Sequence, residues 1–161
     1  MDRTETLARL DALGISYRLV SHPAVHTIQA MEELGLEGSE WVVKNLFLRD
    51  DKKRQYFLVC LRKDKSADLR GLRTLLGSRP LSFASESDLK ARLDLPPGAV
   101  TPLGILADES HSVTLVLDED IRGFPVVGVH PNDNTATVFL TPQDLERAVT
   151  AGGRPLIWLT I

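Results

Sequence analysis

Two apolar segments joined by a charged turn constrain the fold of this chain more than any other feature. Residues 41–48 and 55–61 are rich in the β-branched, aromatic and aliphatic side chains that buried strands favour. The turn at 50–53 between them completes the pattern of a β-hairpin. Lys44 and Asn45 interrupt the first strand, and burying an ammonium group without a partner costs several kcal/mol or more. Lys44 therefore either points out of the sheet or serves a site.

The rest of the chain alternates irregularly between helix and strand patterns. Apolar spacing with polar caps and glycine stops predicts helices at 4–13, 27–34, 67–76, from Ser85 to the break at 95–98, and at 141–151. Further strands are predicted at 15–20, 81–84, 112–117, 124–130, 135–140 and 156–161. About seven strands and five helices in this order predict an α/β chain of the α+β type, with a mixed, curved sheet flanked by helices. We expect residues 1–161 to form a single domain.

Composition excludes several classes of protein. The chain is 43% hydrophobic and 25% charged, and it has neither a leader pattern nor an apolar run long enough to span a bilayer. We therefore expect a cytoplasmic protein. A lone cysteine, Cys60, excludes an internal disulfide and a paired-cysteine metal site, and its apolar neighbours predict a buried core position. His22 and His26 are separated by Pro23 and are not expected to bind metal, and no cofactor motif is present.

Charge is distributed unevenly along the sequence. The net charge is only -3, but the 36 residues from Lys44 to Arg79 carry eleven lysines and arginines against four aspartates. Such asymmetry suggests a basic face that can meet phosphates. The alternative is that these side chains simply keep a hairpin and a helix solvated.

Four short motifs lie along the chain in a characteristic order: Ser21-His-Pro-Ala-Val25, Lys44-Asn-Leu-Phe-Leu-Arg-Asp50, Gly98-Ala-Val-Thr-Pro102 and Val129-His-Pro-Asn-Asp-Asn-Thr-Ala-Thr-Val-Phe-Leu140. Together they resemble the family of aminoacyl-tRNA editing domains related to the insertion domain of bacterial prolyl-tRNA synthetase. Within that family the chain is most similar to freestanding deacylases that hydrolyse alanine mischarged on proline tRNA. The resemblance extends over essentially the whole sequence.

The resemblance implies a barrel-like sheet flanked by helices and a pocket built from three of these motifs. Lys44 matches the family's essential lysine, Gly98 opens its GxxxP loop, and His130 lies on the opposite pocket wall; these three are the candidate catalytic residues. The candidate substrate-binding residues are Asn45, Thr27, Val43, Thr101, Pro102, Asn134 and Thr135, with Val25 and Ile28 as further wall candidates. One departure is Gly104, where the resemblance leads us to expect a bulkier residue.

The chemistry expected of such a pocket is hydrolysis of an ester between an amino acid and a terminal ribose. No serine–histidine–aspartate order and no activated cysteine is available, so direct attack by water is favoured over an acyl-enzyme. Lys44 would either donate to the oxyanion or hold the terminal nucleotide. His130 would orient the substrate or act as a general base, since its reference pKa lies near 6.5. No metal or other cofactor is expected.

The favoured function is therefore trans-editing of alanine esterified to tRNA(Pro). The alternatives are a deacylase of the same fold for cysteine or another small amino acid, and a non-catalytic RNA-binding or synthetase-associated module. The expected partners are mischarged tRNA(Pro) and prolyl-tRNA synthetase, with neither membrane nor DNA. The residues expected to meet tRNA phosphates are Lys52, Lys53, Arg54, Arg70, Arg73 and Arg79.

Overall fold

The predicted hairpin forms the centre of a five-stranded sheet. In this computed structural model, which describes residues 1–161, β2 (Val43–Asp50) pairs antiparallel with β3 (Tyr56–Arg62). β4 (Leu81–Phe83) pairs antiparallel with the outer edge of β2. On the other side of β3, β5 (Val113–Asp118) and then β8 (Leu156–Leu159) pair in parallel. The order β4-β2-β3-β5-β8 therefore makes the sheet mixed.

A second, smaller sheet contains the strands β1 (Arg18–Ser21), β7 (Ala136–Leu140) and β6 (Val127–Val129), paired antiparallel in that order. A single parallel bridge between Val42 and Gly128 connects it to the larger sheet. A Cβ atom on Gly128 would lie 2.7 Å from Val42 Cγ2 and 2.9 Å from Phe139 Cε1. Only glycine therefore allows the two sheets to approach this closely.

Five α-helices flank the sheets: α1 (Arg3–Ala12), α2 (Ile28–Glu33), α3 (Leu69–Leu76), α4 (Glu86–Leu93) and α5 (Pro142–Thr150). Each begins after a side chain that accepts a hydrogen bond from the first turn, as N-cap residues do: Asp2, Thr27, Asp68, Ser85 and Thr141. Short 3-10 helices span Ser39–Trp41, Pro102–Ala107 and Glu119–Gly123. No helix is both long enough and apolar enough to cross a bilayer.

The core lies on both faces of the larger sheet because side chains alternate along β2. Val43 and Phe47 enter the main core, which also receives residues from α4, α5 and the second sheet. Leu48 points to the other face and packs in a smaller cluster with Leu72 of α3. The central strand β3 is buried along almost its whole length, since both of its faces are covered.

The predicted mixed sheet with flanking helices is confirmed, with eight strands in place of about seven. The strands form two open sheets and do not close into one barrel. The strand predicted at 124–130 is reduced to Val127–Val129. Phe124 ends a 3-10 helix, and Pro125 has no N–H to donate to a ladder.

Candidate active site

A pocket of about 190 Å³ opens where the two sheets meet. It brings together the three candidate catalytic residues Lys44, Gly98 and His130, which lie far apart in the sequence. The remaining lining comes from the start of β2, the 25–31 segment, the Gly98 loop and the second sheet: Val25, His26, Thr27, Ile28, Met31, Val42, Val43, Asn45, Val100, Gly128, Val129 and Thr137. The predicted wall residues on β2 and on the 25–28 segment are thus all on the pocket surface.

Lys44 is one of the residues that line this pocket. Its neighbours Val43 and Asn45 turn toward the main core, and the alternation of β2 directs the Lys44 side chain to the opposite face. There its ammonium donates a hydrogen bond to the main-chain carbonyl of Lys65. An ammonium carries three N–H donors, and Lys44 forms neither an ion pair nor a second hydrogen bond. Two donors of a half-buried cation thus remain available to a ligand.

The Gly98 loop needs glycine for two reasons. Its φ of +79° lies in the left-handed region, and a Cβ atom at this position would lie 2.7 Å from His26 Nδ1. The loop is tied to β2 by Asn45, whose amide donates to the carbonyl of Val100 at 3.2 Å. The Asn45 carbonyl in turn accepts a hydrogen bond from the Cys60 thiol at 3.0 Å. Asn45 therefore fixes the glycine loop against the strand that carries Lys44.

His130 is held in one tautomer by its main-chain partner. Its Nδ1 lies 2.7 Å from the carbonyl oxygen of Ala136, which can only accept, so Nδ1 carries the proton. Nε2 is then the acceptor of the neutral ring. Burial lowers the pKa of His130, because the charged imidazolium loses its hydration, and His22, with its ring centroid 5.9 Å away, lowers it further. The ring is therefore neutral at physiological pH.

Four of the predicted substrate-binding residues lie behind the pocket wall and do not line it. Thr101 is fully buried and donates to the main-chain carbonyl of His130 at 2.6 Å. Pro102 is buried at the start of its 3-10 helix. Asn134 donates to the carbonyl of Val25 at 2.9 Å. Thr135 bonds to other side chains outside the pocket, Arg3 and Asp133. Thr101 and Asn134 hold lining residues in place, whereas Thr27, Val43 and Asn45 themselves form part of the wall.

Several lining residues were not predicted from the sequence: His26, Met31, Val42, Val100, Gly128, Val129 and Thr137. Gly128 carried the clearest signal, because a glycine inside a strand pattern indicates a close approach of another backbone. Gly104, where the resemblance suggested a bulkier residue, is buried away from the pocket. A Cβ atom there would lie 2.7 Å from Leu95 Cδ1, so its small size serves the core and leaves the pocket volume unchanged.

The six predicted tRNA contacts are all exposed, but they do not lie beside the pocket as a group. Lys52, Lys53 and Arg54 form the turn at the far end of the hairpin, about 20 Å along β2 from Lys44. These three residues form no ion pairs, and the same is true of Arg70 and Arg73 on α3. Arg79 differs, because its guanidinium binds both carboxylate oxygens of Asp51, at 2.6 and 3.0 Å.

Much of the basic segment is neutralised in the folded protein. Four of its other charges are paired with acidic side chains, in the ion pairs Arg49–Asp88, Arg62–Asp64, Lys63–Glu32 and Lys65–Asp118. The cations without an acidic partner are Lys44 at the pocket and the five exposed side chains at 52, 53, 54, 70 and 73. The basic face is therefore smaller than the sequence count suggests.

The lining offers no side-chain nucleophile for an acyl-enzyme. It contains no serine, cysteine, aspartate or glutamate, and its hydroxyls are engaged: Thr27 caps α2, and Thr137 lies 2.8 Å from His22 Nε2. Cys60 is fully buried outside the lining, and burial raises the pKa of its thiol. What the pocket presents is a cation, a neutral imidazole and main-chain groups. This combination suits catalysis by a bound water molecule.

Comparison with known proteins assigns the family. Residues 22–148 match the family model described as the aminoacyl-tRNA editing domain. The chain is 49% identical over 147 residues to the prolyl-tRNA editing protein ProX of Acetoanaerobium sticklandii, covering 91% of this chain and 90% of that protein. It is 40% identical to prolyl-tRNA synthetase associated domain-containing protein 1 of Danio rerio, covering 90% of this chain and 79% of that protein.

A solved structure described as a candidate trans-editing enzyme for prolyl-tRNA synthetase has the same fold. The TM-score is 0.73 with 24% sequence identity, over 100% of this chain and 98% of the other. The predicted family and enzyme class are thereby confirmed. The chain belongs to the family of aminoacyl-tRNA editing domains and is an aminoacyl-tRNA ester hydrolase.

Proposed function

We propose that this chain acts in trans, as a single domain in the cytoplasm, to hydrolyse the ester of alanine mischarged on tRNA(Pro). The observation that carries the proposal is the small pocket, which holds a lysine without a counter-ion and a neutral histidine but no nucleophile. The names of the relatives refer to prolyl-tRNA editing and to prolyl-tRNA synthetase, which supports tRNA(Pro) as the substrate and the synthetase as a partner.

Alanine is the proposed amino acid because of the physical limits of a synthetase pocket. A pocket built for proline loses only about 1–3 kcal/mol of apolar contact when a smaller side chain enters, which is too little to exclude it. A second, hydrolytic pocket too small for proline then removes the error. The side of the present pocket formed by Val25, Ile28 and Met31 is apolar, as a site for a methyl group requires.

The proposed reaction is direct attack by water on the ester carbonyl. As the tetrahedral intermediate forms, the carbonyl oxygen gains negative charge, and a preorganised donor to it contributes about 10²–10³ in rate. Lys44 has two free N–H donors for this oxygen or for the terminal nucleotide. Gly98 lines the pocket and has no side chain of its own, so its main-chain groups can approach the substrate closely.

His130 is proposed to accept a hydrogen bond through Nε2. Nε2 is the acceptor because Nδ1 donates its proton to the Ala136 carbonyl, and the lowered pKa of His130 keeps Nε2 unprotonated near pH 7. It can orient the substrate's amino group or the attacking water, and it can take the water's proton if the two are in direct contact. The exposed side chains of Lys52, Lys53, Arg54, Arg70 and Arg73 are proposed to meet tRNA phosphates.

A deacylation panel tests the proposal. tRNA(Pro) charged in turn with alanine, cysteine, serine, threonine or proline is incubated with the protein, and loss of the ester is followed over time. We expect alanine to be released fastest and proline to be retained. Faster release of cysteine or serine would reassign the amino acid within the same chemistry. No hydrolysis of any ester would overturn the proposal in favour of an RNA-binding module.

A further inference from the structure

The turn between β3 and α3 supplies the only protein partner of the Lys44 ammonium, the main-chain carbonyl of Lys65. A carbonyl on a connecting segment can fix a cation only if the segment itself is fixed. Residues 63–67 lie between the two flanking elements, and the main chain of this segment is held by one hydrogen bond, from the Lys65 N–H to the Arg62 carbonyl at 3.0 Å. What anchors this turn therefore decides where Lys44 sits.

Side chains anchor the turn further: Lys63 Nζ donates to the Ser39 carbonyl at 3.3 Å, and the side chain of Lys65 binds two carboxylates. Its ammonium lies 2.7 Å from Asp118 Oδ2 and 3.0 Å from Asp120 Oδ2. The side chain of Asp118 is fully buried at the end of β5, and that of Asp120 is partly exposed. A buried carboxylate without a cationic partner is strongly unfavourable, so Asp118 holds Lys65 firmly. The carbonyl of Lys65 is fixed as a consequence.

We propose that Lys65 and Asp118 are positioning residues that hold the ammonium of the pocket-lining residue Lys44 in place, an inference that rests on the proposed function of Lys44. Neither residue lines the pocket. They act through the carbonyl of Lys65, which occupies one donor of Lys44 and leaves the others for the substrate. Because catalytic groups must be placed closely, a small shift of this turn lowers the rate without weakening tRNA binding.

The alternative is that the Lys65–Asp118 pair only stabilises the end of β5. The two explanations differ in whether the effect passes through Lys44. If it does, removing Lys65's charge matters only while Lys44 is present. If the pair is merely structural, its loss adds to the loss of Lys44, as independent effects do.

The test is a double-mutant cycle on alanine deacylation with Lys65→Met, Lys44→Ala and the double variant, and with Lys65→Arg as the conservative replacement. We expect Lys65→Met to lower kcat about fivefold with KM nearly unchanged, and to lower it less than twofold further in the Lys44→Ala background. Lys65→Arg should restore most of kcat, because it keeps the ion pair. Additive losses, or an equal fall of kcat for the Arg variant, would overturn the inference.

A second variant covers the case in which Lys65→Met fails to fold. Asp120→Asn removes the partly exposed partner of Lys65, which also lies 3.5 Å from the Arg62 guanidinium, and leaves the buried pair intact. We expect a loss of kcat of about twofold that also disappears without Lys44. Lys90→Met is the control, because this exposed lysine of α4 pairs with Asp94 just after the helix, outside the pocket lining, and its loss should leave kcat unchanged.

The outcomes separate this inference from the proposed function. If Lys44→Ala lowers kcat and both Lys65→Met and Asp120→Asn keep wild-type kcat, the positioning role is wrong and the function of Lys44 stands. If Lys44→Ala itself keeps wild-type kcat, the proposed function of the lysine falls, and the positioning role falls with it. Circular dichroism and thermal unfolding of each variant show that the fold is retained.

Discussion

The two ends of the β2–β3 hairpin carry lysines in opposite physical situations. At the pocket end, Lys44 is half buried and bonded to a carbonyl, and its neighbour Asn45 links two other segments. At the turn end, Lys52 and Lys53 are exposed and have no ion-pair partner. The backbone of that turn is held by the Asp50 carboxylate, which accepts from the Arg54 N–H at 2.8 Å, but the two ammonium groups are not held.

This difference distinguishes a built site from a solvated charge. A site holds its groups before the ligand arrives, because ordering them afterwards would use binding free energy. The pocket end meets this condition through Asn45, Thr101 and the His130–Ala136 bond. The turn end does not, so its charges can attract a polyanion but cannot orient a reaction. Substitutions at the two ends should therefore affect different kinetic parameters.

The largest effect is expected for Lys44→Ala. It should lower kcat for alanine deacylation at least tenfold, and by about 10²–10³ if Lys44 holds the oxyanion rather than the nucleotide. Time courses of deacylation measure the loss of kcat, and circular dichroism checks that the variant is folded. Full activity of Lys44→Ala would contradict the proposed difference between the two ends of the hairpin. Lys90→Ala on the surface of α4 is the matched control.

The next effect is expected for Gly98→Ala. The new Cβ atom would lie 2.7 Å from His26 Nδ1, and the positive φ would be strained, so the loop must shift and kcat/KM should fall roughly fivefold.

Gly77→Ala is the matched control for this change. Gly77 also has a positive φ, of +61°, but no atom lies within 4 Å of its Cβ position. The Gly77→Ala variant should have a lower melting temperature and should keep its activity. Equal activity of the two variants would show that the close approach at Gly98 does not matter.

His130→Gln is expected to lower kcat/KM about threefold near pH 7, as loss of one orienting hydrogen bond does. Burial lowers the pKa of His130, so the wild-type ring protonates below its usual 6.5, and activity should fall as pH decreases through that lower value. Stability should fall in the same direction, because the unfolded ring binds the proton more readily than the folded one.

The pH dependence of kcat/KM and of the melting temperature between pH 5 and 8 tests this prediction. Both acid-side declines should become shallower in His130→Gln and stay unchanged when the exposed His111 is replaced by glutamine. An acid limb that is identical in wild type and His130→Gln would contradict the assignment to His130.

The smallest effect per residue is expected at the turn end. Replacing Lys52, Lys53 and Arg54 with glutamine should weaken tRNA binding about twofold for each charge removed. The logarithm of the binding constant should also depend less steeply on the logarithm of the salt concentration, and kcat should be unchanged. Arg79→Gln should have a smaller effect, because Asp51 already neutralises that guanidinium. Binding titrations at several salt concentrations measure both. A fall in kcat without a change in tRNA affinity would show that the turn end contributes to catalysis and not to binding.

The sequence predicted the individual strands and helices well where the signal was local. The hairpin, the capped helices and a buried Cys60 all follow from spacing and side-chain type. Boundaries were wrong where a tertiary contact or a proline intervened, as at 124–130. Thr27, Thr101 and Asn134 are all polar residues predicted to bind the substrate. Only Thr27 lines the pocket. Which polar residue faces a cavity depends on packing partners distant in the sequence.

The sequence by itself determined that a lysine interrupts an apolar strand and that a glycine loop and a histidine turn accompany it, because these are properties of residue type and order. Only the tertiary structure decided that the three share one pocket. It also decided that the Lys44 ammonium donates to the carbonyl of Lys65, and that five of the eleven basic side chains between Lys44 and Arg79 are paired with acids. The reason is physical: burial and electrostatic pairing depend on distances in space, and those distances are set by the packing of two sheets through Val42 and Gly128.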